Sequence, residues 1–256
     1  MKQEKPIVLL CTDGDSTHAV YNALRENFGE ITVIMETPVS RRQMLERRMK
    51  KLGVMSVAGQ VLFLLAVVPV LRRLSKRRVA EIKNEYKMRE GLPENIIRVP
   101  SVNSEEARQK LREIDPRVIV VNGTRIISRE TLNCVNARFI NMHAGITPLY
   151  RGVHGAYWAL AEDKPDLVGT TVHFVDEGID TGKIIEQVHF CVSKRDNFTT
   201  YPYLHTGAGI PALIRAVRQA INGEVAQQPE NKDLDSKLRY HPTIWNYLNW
   251  RRRGIR

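Results

Sequence analysis

Three side chains far apart along the chain have the types needed for acyl-group chemistry: the carboxamide of Asn141, the imidazole of His143 and the carboxylate of Asp180. Phe139-Ile140 reads as the end of an apolar strand. Alternate strand residues share a face, so Asn141 and His143 are expected to point the same way. An amide N–H can meet a developing oxyanion, and an imidazole can donate a hydrogen bond or carry a proton. Asp180 lies in a turn between Gly178 and Gly182, which permit close backbone approach and positive φ. The competing reading of each residue alone is a capped turn or an ordinary core histidine. Taken together, the three favour a site.

The elements that must position them follow an α/β pattern. Residues 6–11 form a short apolar run of the kind that makes a strand buried on both faces, 118–121 reads as a buried strand, and 31–35 and 96–99 read as strands. Helices are expected over 17–27 and over 104–114, the latter opened by a Ser104 cap. Strands over 168–175 and 183–192 brace the Asp180 turn, and helices follow at 154–162 and 199–222. In open α/β sheets ligands bind beyond the carboxyl ends of the strands, so the loop 12–16 belongs to the site region. With two aspartates and one glycine it is no phosphate cradle. Asp13 is read there as a contact for an amino or hydroxyl group.

Composition sets outer limits. With 256 residues, 43% hydrophobic and 26% charged, the chain can bury a full core. The cysteines Cys11, Cys134 and Cys191 fit no metal spacing and read as reduced thiols, which points to the cytoplasm.

The motifs Asn141-x-His143, Pro148-x-Tyr150-Arg151-Gly152 and Gly169-Thr-Thr-Val-His173-Phe-Val-Asp176-x-Gly178-Ile-Asp180-Thr-Gly182 together resemble the signature of the folate-dependent formyltransferases. That family includes the glycinamide ribonucleotide, methionyl-tRNA and sugar N-formyltransferases. The resemblance implies a Rossmann-like formyltransferase fold, with a mostly parallel twisted sheet and helices on both faces. It implies transfer of a formyl group from 10-formyltetrahydrofolate to a primary amine, with Asn141, His143 and Asp180 catalytic and no metal required. Asn141 and protonated His143 would both donate to the oxyanion. Gly123, Thr124, Arg125, Ile126 and Ile127 correspond to the segment that wraps the folate pterin, and Thr171, Val172 and Asp176 are further folate contacts. Tyr150, Arg151 and Gly152 resemble the sugar and tRNA branches and are assigned with Asp13 to the acceptor. His173 and His154 are read as supporting the acid. A formyltetrahydrofolate hydrolase, a methionyl-tRNA formyltransferase-like enzyme and a non-catalytic membrane-docking protein remain alternatives.

One segment departs from the family pattern. Residues 41–90 carry fourteen Lys and Arg against four acids, a local +10 in a chain of +11. Between the basic flanks, 54–71 is uncharged and almost wholly apolar, long enough to approach a bilayer span. A single crossing would separate strands that must pair, and Pro69 is expected to break or kink the helix. The segment is therefore read as an element lying on an anionic membrane surface, with burial in the enzyme's own core, a homodimer contact or RNA as alternatives. This makes a catalytic domain of 1–224 with a helical insertion at 38–92 and a C-terminal tail of 225–256. The tail is too short for the extra barrel of the tRNA enzymes, which disfavours nucleic acid. A nucleotide- or lipid-linked amino sugar is the expected acceptor, and the inner face of the membrane the expected location.

Overall fold

Ile7–Cys11 (β1) is buried along its whole length, as an apolar strand flanked by two others must be. The computed structural model describes residues 5–224 and 235–255. From β1 the chain runs through Asp15–Phe28 (α1) to Ile31–Glu36 (β2), and after the insertion to Ile96–Val99 (β3), Glu105–Ile114 (α5), Val118–Asn122 (β4), Arg129–Leu132 (α6) and Arg138–His143 (β5). Arg151–Gly152 (β6), Gly155–Ala161 (α7), Gly169–Phe174 (β7), Ile184–His189 (β8) and Tyr201–Asn222 (α8) complete the domain. The sheet order is β3-β2-β1-β4-β5-β7-β8. The first five strands are parallel, and β7 and β8 add on antiparallel.

Period-two alternation sorts β1 between two cores. Ile7, Leu9 and Cys11 join α1 and α8 in one cluster. Val8 and Leu10 face α5 in another. Ser104 caps α5 as expected, its Oγ accepting from the Ala107 N–H. The strand order reverses between β1 and β4, where loops diverge and open a crevice at the carboxyl ends of the strands. Thr12 and Gly123 meet across this point, with Thr12 Oγ1 donating to the Gly123 carbonyl at 2.9 Å.

The insertion comprises Arg41–Leu52 (α2), Val54–Leu62 (α3), a π turn at Phe63–Val67 and Val68–Glu85 (α4). The expected break at Pro69 does not occur. Val54 to Glu85 forms one continuous 32-residue helix. Proline lacks an N–H and its ring clashes with the carbonyl four residues back. The wider π turn just before Pro69 makes room for that ring, so the interruption is absorbed as a local unwinding. One side of the helix is self-buried: Phe63, Val68 and Ile82 pack with Tyr150, Tyr157, Phe198 and Leu204 in a third core.

The C-terminal segment returns to the domain. Leu238–Arg239 (β9) pairs in parallel with β6, and Ile244–Arg252 (α9) lays Tyr247 against Phe63 and Trp250 against Tyr157 and Trp158.

Candidate active site

β5 ends with Asn141 half-buried and His143 buried. The antiparallel strand β7 is in register so that His173 stands opposite Asn141. The turn between β7 and β8 brings Asp180, at φ 53°, to the same point. This turn needs glycine at 182, where a Cβ would lie 1.7 Å from the Phe174 carbonyl oxygen. The three separated side chains thus meet.

His143 Nδ1 lies 3.3 Å from Asp180 Oδ2, and His143 Nε2 donates to the Tyr150 carbonyl at 2.7 Å. Both ring nitrogens face oxygen acceptors, and the imidazolium is the form that satisfies both. Asp180 also accepts the Gly152 N–H at 2.9 Å. Burial by itself would raise its pKa, but the His143 hydrogen bond and charge and the Gly152 N–H outweigh burial and hold it below the usual carboxylate range. His173 Nδ1 donates to the Phe174 carbonyl at 2.7 Å. That leaves His173 Nε2 as an acceptor for the Asn141 amide, 3.1 Å away. Burial lowers the His173 pKa, which keeps the ring neutral and the acceptor available. Asn141 is thereby oriented with its NH₂ toward the imidazole, and one of its two N–H groups remains uncommitted by this bond.

These residues line a cleft of about 440 Å³, within the size range of small-molecule sites. Gly123, Thr124, Arg125, Ile126 and Ile127 form part of its wall, as do Asp176 and Gly152. Asp176 shapes the turn by accepting from Thr181 Oγ1 and the Gly178 N–H. Arg125 is an anchor of the loop. Its guanidinium pairs with buried Glu36, Nε to Oε2 at 2.6 Å, and reaches the Thr37 carbonyl at 2.8 Å. Glu36 also accepts the Arg125 and Val102 backbone N–H groups.

Several expected assignments are corrected by position. Thr171 is fully buried, donating to the Gly145 carbonyl, and Val172 lies in the core; neither lines the cleft among the described residues. Tyr150 is buried with its hydroxyl on Glu162, so only its carbonyl serves the site, through His143. Arg151 donates to the Ile179 carbonyl and braces the acid's turn. Asp13 is not displaced in this way: it stands exposed on the loop after β1, its carboxylate 3.2 Å from His18. His154 does not support the acid: its Nε2 is 2.8 Å from His241 Nδ1, and its ring lies on Phe198. His143 presents no spare N–H for an oxyanion, because both nitrogens are committed.

The structure adds one side chain that sequence reasoning missed. His205, on α8, lines the cleft with its Nδ1 against Thr170 Oγ1. Burial, then the charge of His143, pushes its pKa down to about 3. Its signal was a lone imidazole among the mostly apolar and small residues of the first half of the helix. A second cavity of about 600 Å³ lies between α4 and the N-terminal end of α8, lined by Ser16, Arg72, Lys76, His154 and Tyr203 among others. Gly152 and Val153 line the first cleft and His154 the second, so adjacent backbone separates the two.

A family model described as formyl transferase matches residues 5–217. The chain belongs to this family. Its relatives include the methionyl-tRNA formyltransferase of Thermodesulfovibrio yellowstonii, 29% identical over 151 residues that cover 55% of this chain and 49% of that one. That of Kosmotoga olearia is 28% identical over 174 residues, 68% of this chain and 53% of its own. The chain spans about half the length of these relatives. Among solved structures, glycinamide ribonucleotide transformylase 1 from Symbiobacterium toebii superposes with a TM-score of 0.58 at 19% identity, covering 91% of this chain and 93% of that one. An N-formyltransferase from Helicobacter canadensis, solved with folinic acid and dTDP-3-aminofucose, gives 0.54 at 16% identity, covering 92% and 70%. These likenesses carry the fold: the chain is Rossmann-like, with a mostly parallel sheet.

Proposed function

We propose that this formyl transferase moves the formyl group of 10-formyltetrahydrofolate onto a primary amine of an amino sugar carried on a nucleotide or a lipid. The observation that carries the reading is the convergence of Asn141, His143 and Asp180 at one cleft. The donor fits the residues present: the cleft has the right order of size, the apolar walls of Val121 and Ile127 suit a flat ring, and the 123–127 loop is held rigid by Glu36. When bound, the folate supplies the formyl carbon.

The chain's own groups then divide the work. Asn141 aims an N–H at the formyl oxygen, where negative charge develops as the amine attacks; one such preorganised donor is worth about a hundredfold to a thousandfold in turnover. His143 acts through its positive charge in a largely desolvated site, since its N–H groups hold Asp180 and the Tyr150 carbonyl. Asp180 keeps that ring charged and takes part in moving the proton from the attacking amine to the leaving nitrogen. A phosphate-bearing carrier is accommodated by the second cavity, where Arg72 and Lys76 supply cations. Nucleotide and lipid carriers share this chemistry.

Incubation with 10-formyltetrahydrofolate and a panel of amino sugars tests this, by following tetrahydrofolate release and formylated product. Acceptor-independent formate would replace transfer by hydrolysis. The methionyl-tRNA relatives favour a second reading, an aminoacyl-tRNA acceptor. Charged initiator tRNA in the same assay separates the two.

A further inference from the structure

The helix Val54–Glu85 has two unlike sides. Val57, Phe63, Val68, Ser75 and Ile82 are buried. Gln60 Nε2 donates to the His241 carbonyl at 2.9 Å, and Gly59 lets the Trp245 ring approach so closely that a Cβ would sit 2.3 Å from it. Arg78 is locked to fully buried Asp196 at 2.8 Å. The other side is apolar and bare: Met55 is 75% exposed, Leu65 73%, Val70 56% and Leu74 75%, with Leu62 between them. At 1.5 Å per residue this row extends about 30 Å. It is far longer than the scattered apolar residues of an ordinary surface.

Cations flank the row. Arg47, Lys50 and Lys51 on α2, and Arg73 on α4, have no carboxylate partner among the described residues. We propose that this face docks the protein on an anionic lipid bilayer, with the apolar row sunk among acyl chains and the flanking cations on headgroup phosphates. The charge complementarity selects anionic lipid. The helix is long and apolar enough to cross a membrane. It lies along the surface instead, because contacts at 57, 60, 63, 68, 75 and 82 hold its other side to the rest of the protein along its length. A nucleic acid would satisfy the cations but leave the row in water. The inference stands apart from the formyl-transfer reading, and its test does not use activity.

The 256-residue chain is floated with phosphatidylcholine vesicles that contain or lack phosphatidylglycerol. Binding is expected to the anionic vesicles and to fall at high salt. The double variant Leu65→Glu/Leu74→Glu, altered only at exposed positions, is expected to lose at least about tenfold in binding, and Arg47→Glu/Arg73→Glu by a comparable factor. Circular dichroism and melting temperature of each variant establish that the fold is intact. Binding that is absent, indifferent to lipid charge, or unchanged in folded variants would overturn the proposal. So would a dimer in sedimentation velocity that the L65E/L74E pair breaks while vesicles are ignored, since the row would then belong to a second copy.

Discussion

Asn141 and His173 are cross-strand neighbours in the sheet, and the amide of one donates to the imidazole of the other at 3.1 Å. That bond depends on the single antiparallel addition of β7 to β5, and it makes a buried neutral histidine the device that orients the amide. Asn141→Ala is expected to lower kcat about a hundredfold to a thousandfold with little change in KM. His173→Phe removes the acceptor and should lose a comparable factor. The double variant should be scarcely worse than either single one, because both delete the same oriented N–H. Steady-state kinetics on the four proteins decides this, and full additivity would sink it.

Arg72 and Lys76 face the 600 Å³ cavity next to the catalytic cleft. If they hold the acceptor's phosphate, Arg72→Ala should raise KM for a phosphate-bearing acceptor by roughly tenfold, the loss of one charge-assisted contact. The KM for the folate should stay put. Equal changes in both constants would assign these residues elsewhere.

Glu36 is buried, its two oxygens accept from the backbone N–H groups of Val102 and Arg125, and its carboxylate forms an ion pair with the Arg125 guanidinium. Glu36→Gln leaves one of these donors facing an NH₂ and the guanidinium without its counter-charge. Breaking such a buried pair costs roughly 3 kcal/mol, which denaturant unfolding would register. The folate-side loop also loses its anchor, so donor affinity should weaken while the triad stays intact. Unaltered affinity in a destabilised variant would separate the loop from the folate.

Four histidines are held neutral by burial. His154 and His205 are pushed down to about 3 and His241 to about 4, with His173 lowered as well. Their folded values lie below the unfolded value of about 6.5. The unfolded chain therefore binds more protons, and the stability these groups contribute is complete above about pH 6.5 and lost as pH falls toward about 4. Each group contributes a slope of up to about 1.4 kcal/mol per pH unit. The melting temperature should drop by roughly 5 °C or more between pH 7 and pH 5. A flat profile across that window would contradict the burial of these rings.

Much of this was legible beforehand, and the reasons differ by residue. The central strands β1 and β4 announced themselves as short uncharged apolar runs, the composition that burial on both faces favours. Asn141, His143 and Asp180 were legible because strand alternation and glycine spacing limit where their side chains point. Glu36 was not, because its partner lies 89 residues away and no local pattern encodes that meeting. Tyr150 and Thr171 were assigned to ligands by motif alone, yet their side chains turn inward onto Glu162 and Gly145. The apolar stretch of 54–71 was plain in the sequence. Its division into an anchored side and a bare one was not, because that depends on Phe198, Trp245 and His241, all contributed by distant segments.

The short parallel pair of β6 and β9 ties the last part of the chain to the reaction. Arg151 and Val153 donate to the carbonyls of Lys237 and Arg239, and the Gly152 N–H between them holds the Asp180 carboxylate. Gly152 has room for no side chain there, its Cβ position lying 2.3 Å from the Arg239 carbonyl oxygen. Residues with no chemistry of their own thus act as a splint for the acid. Taking away residues 235–255 would leave Asn141, His143 and Asp180 in the chain but remove the carbonyls that grip the 151–153 segment, so the acid would keep its charge and lose its bearings.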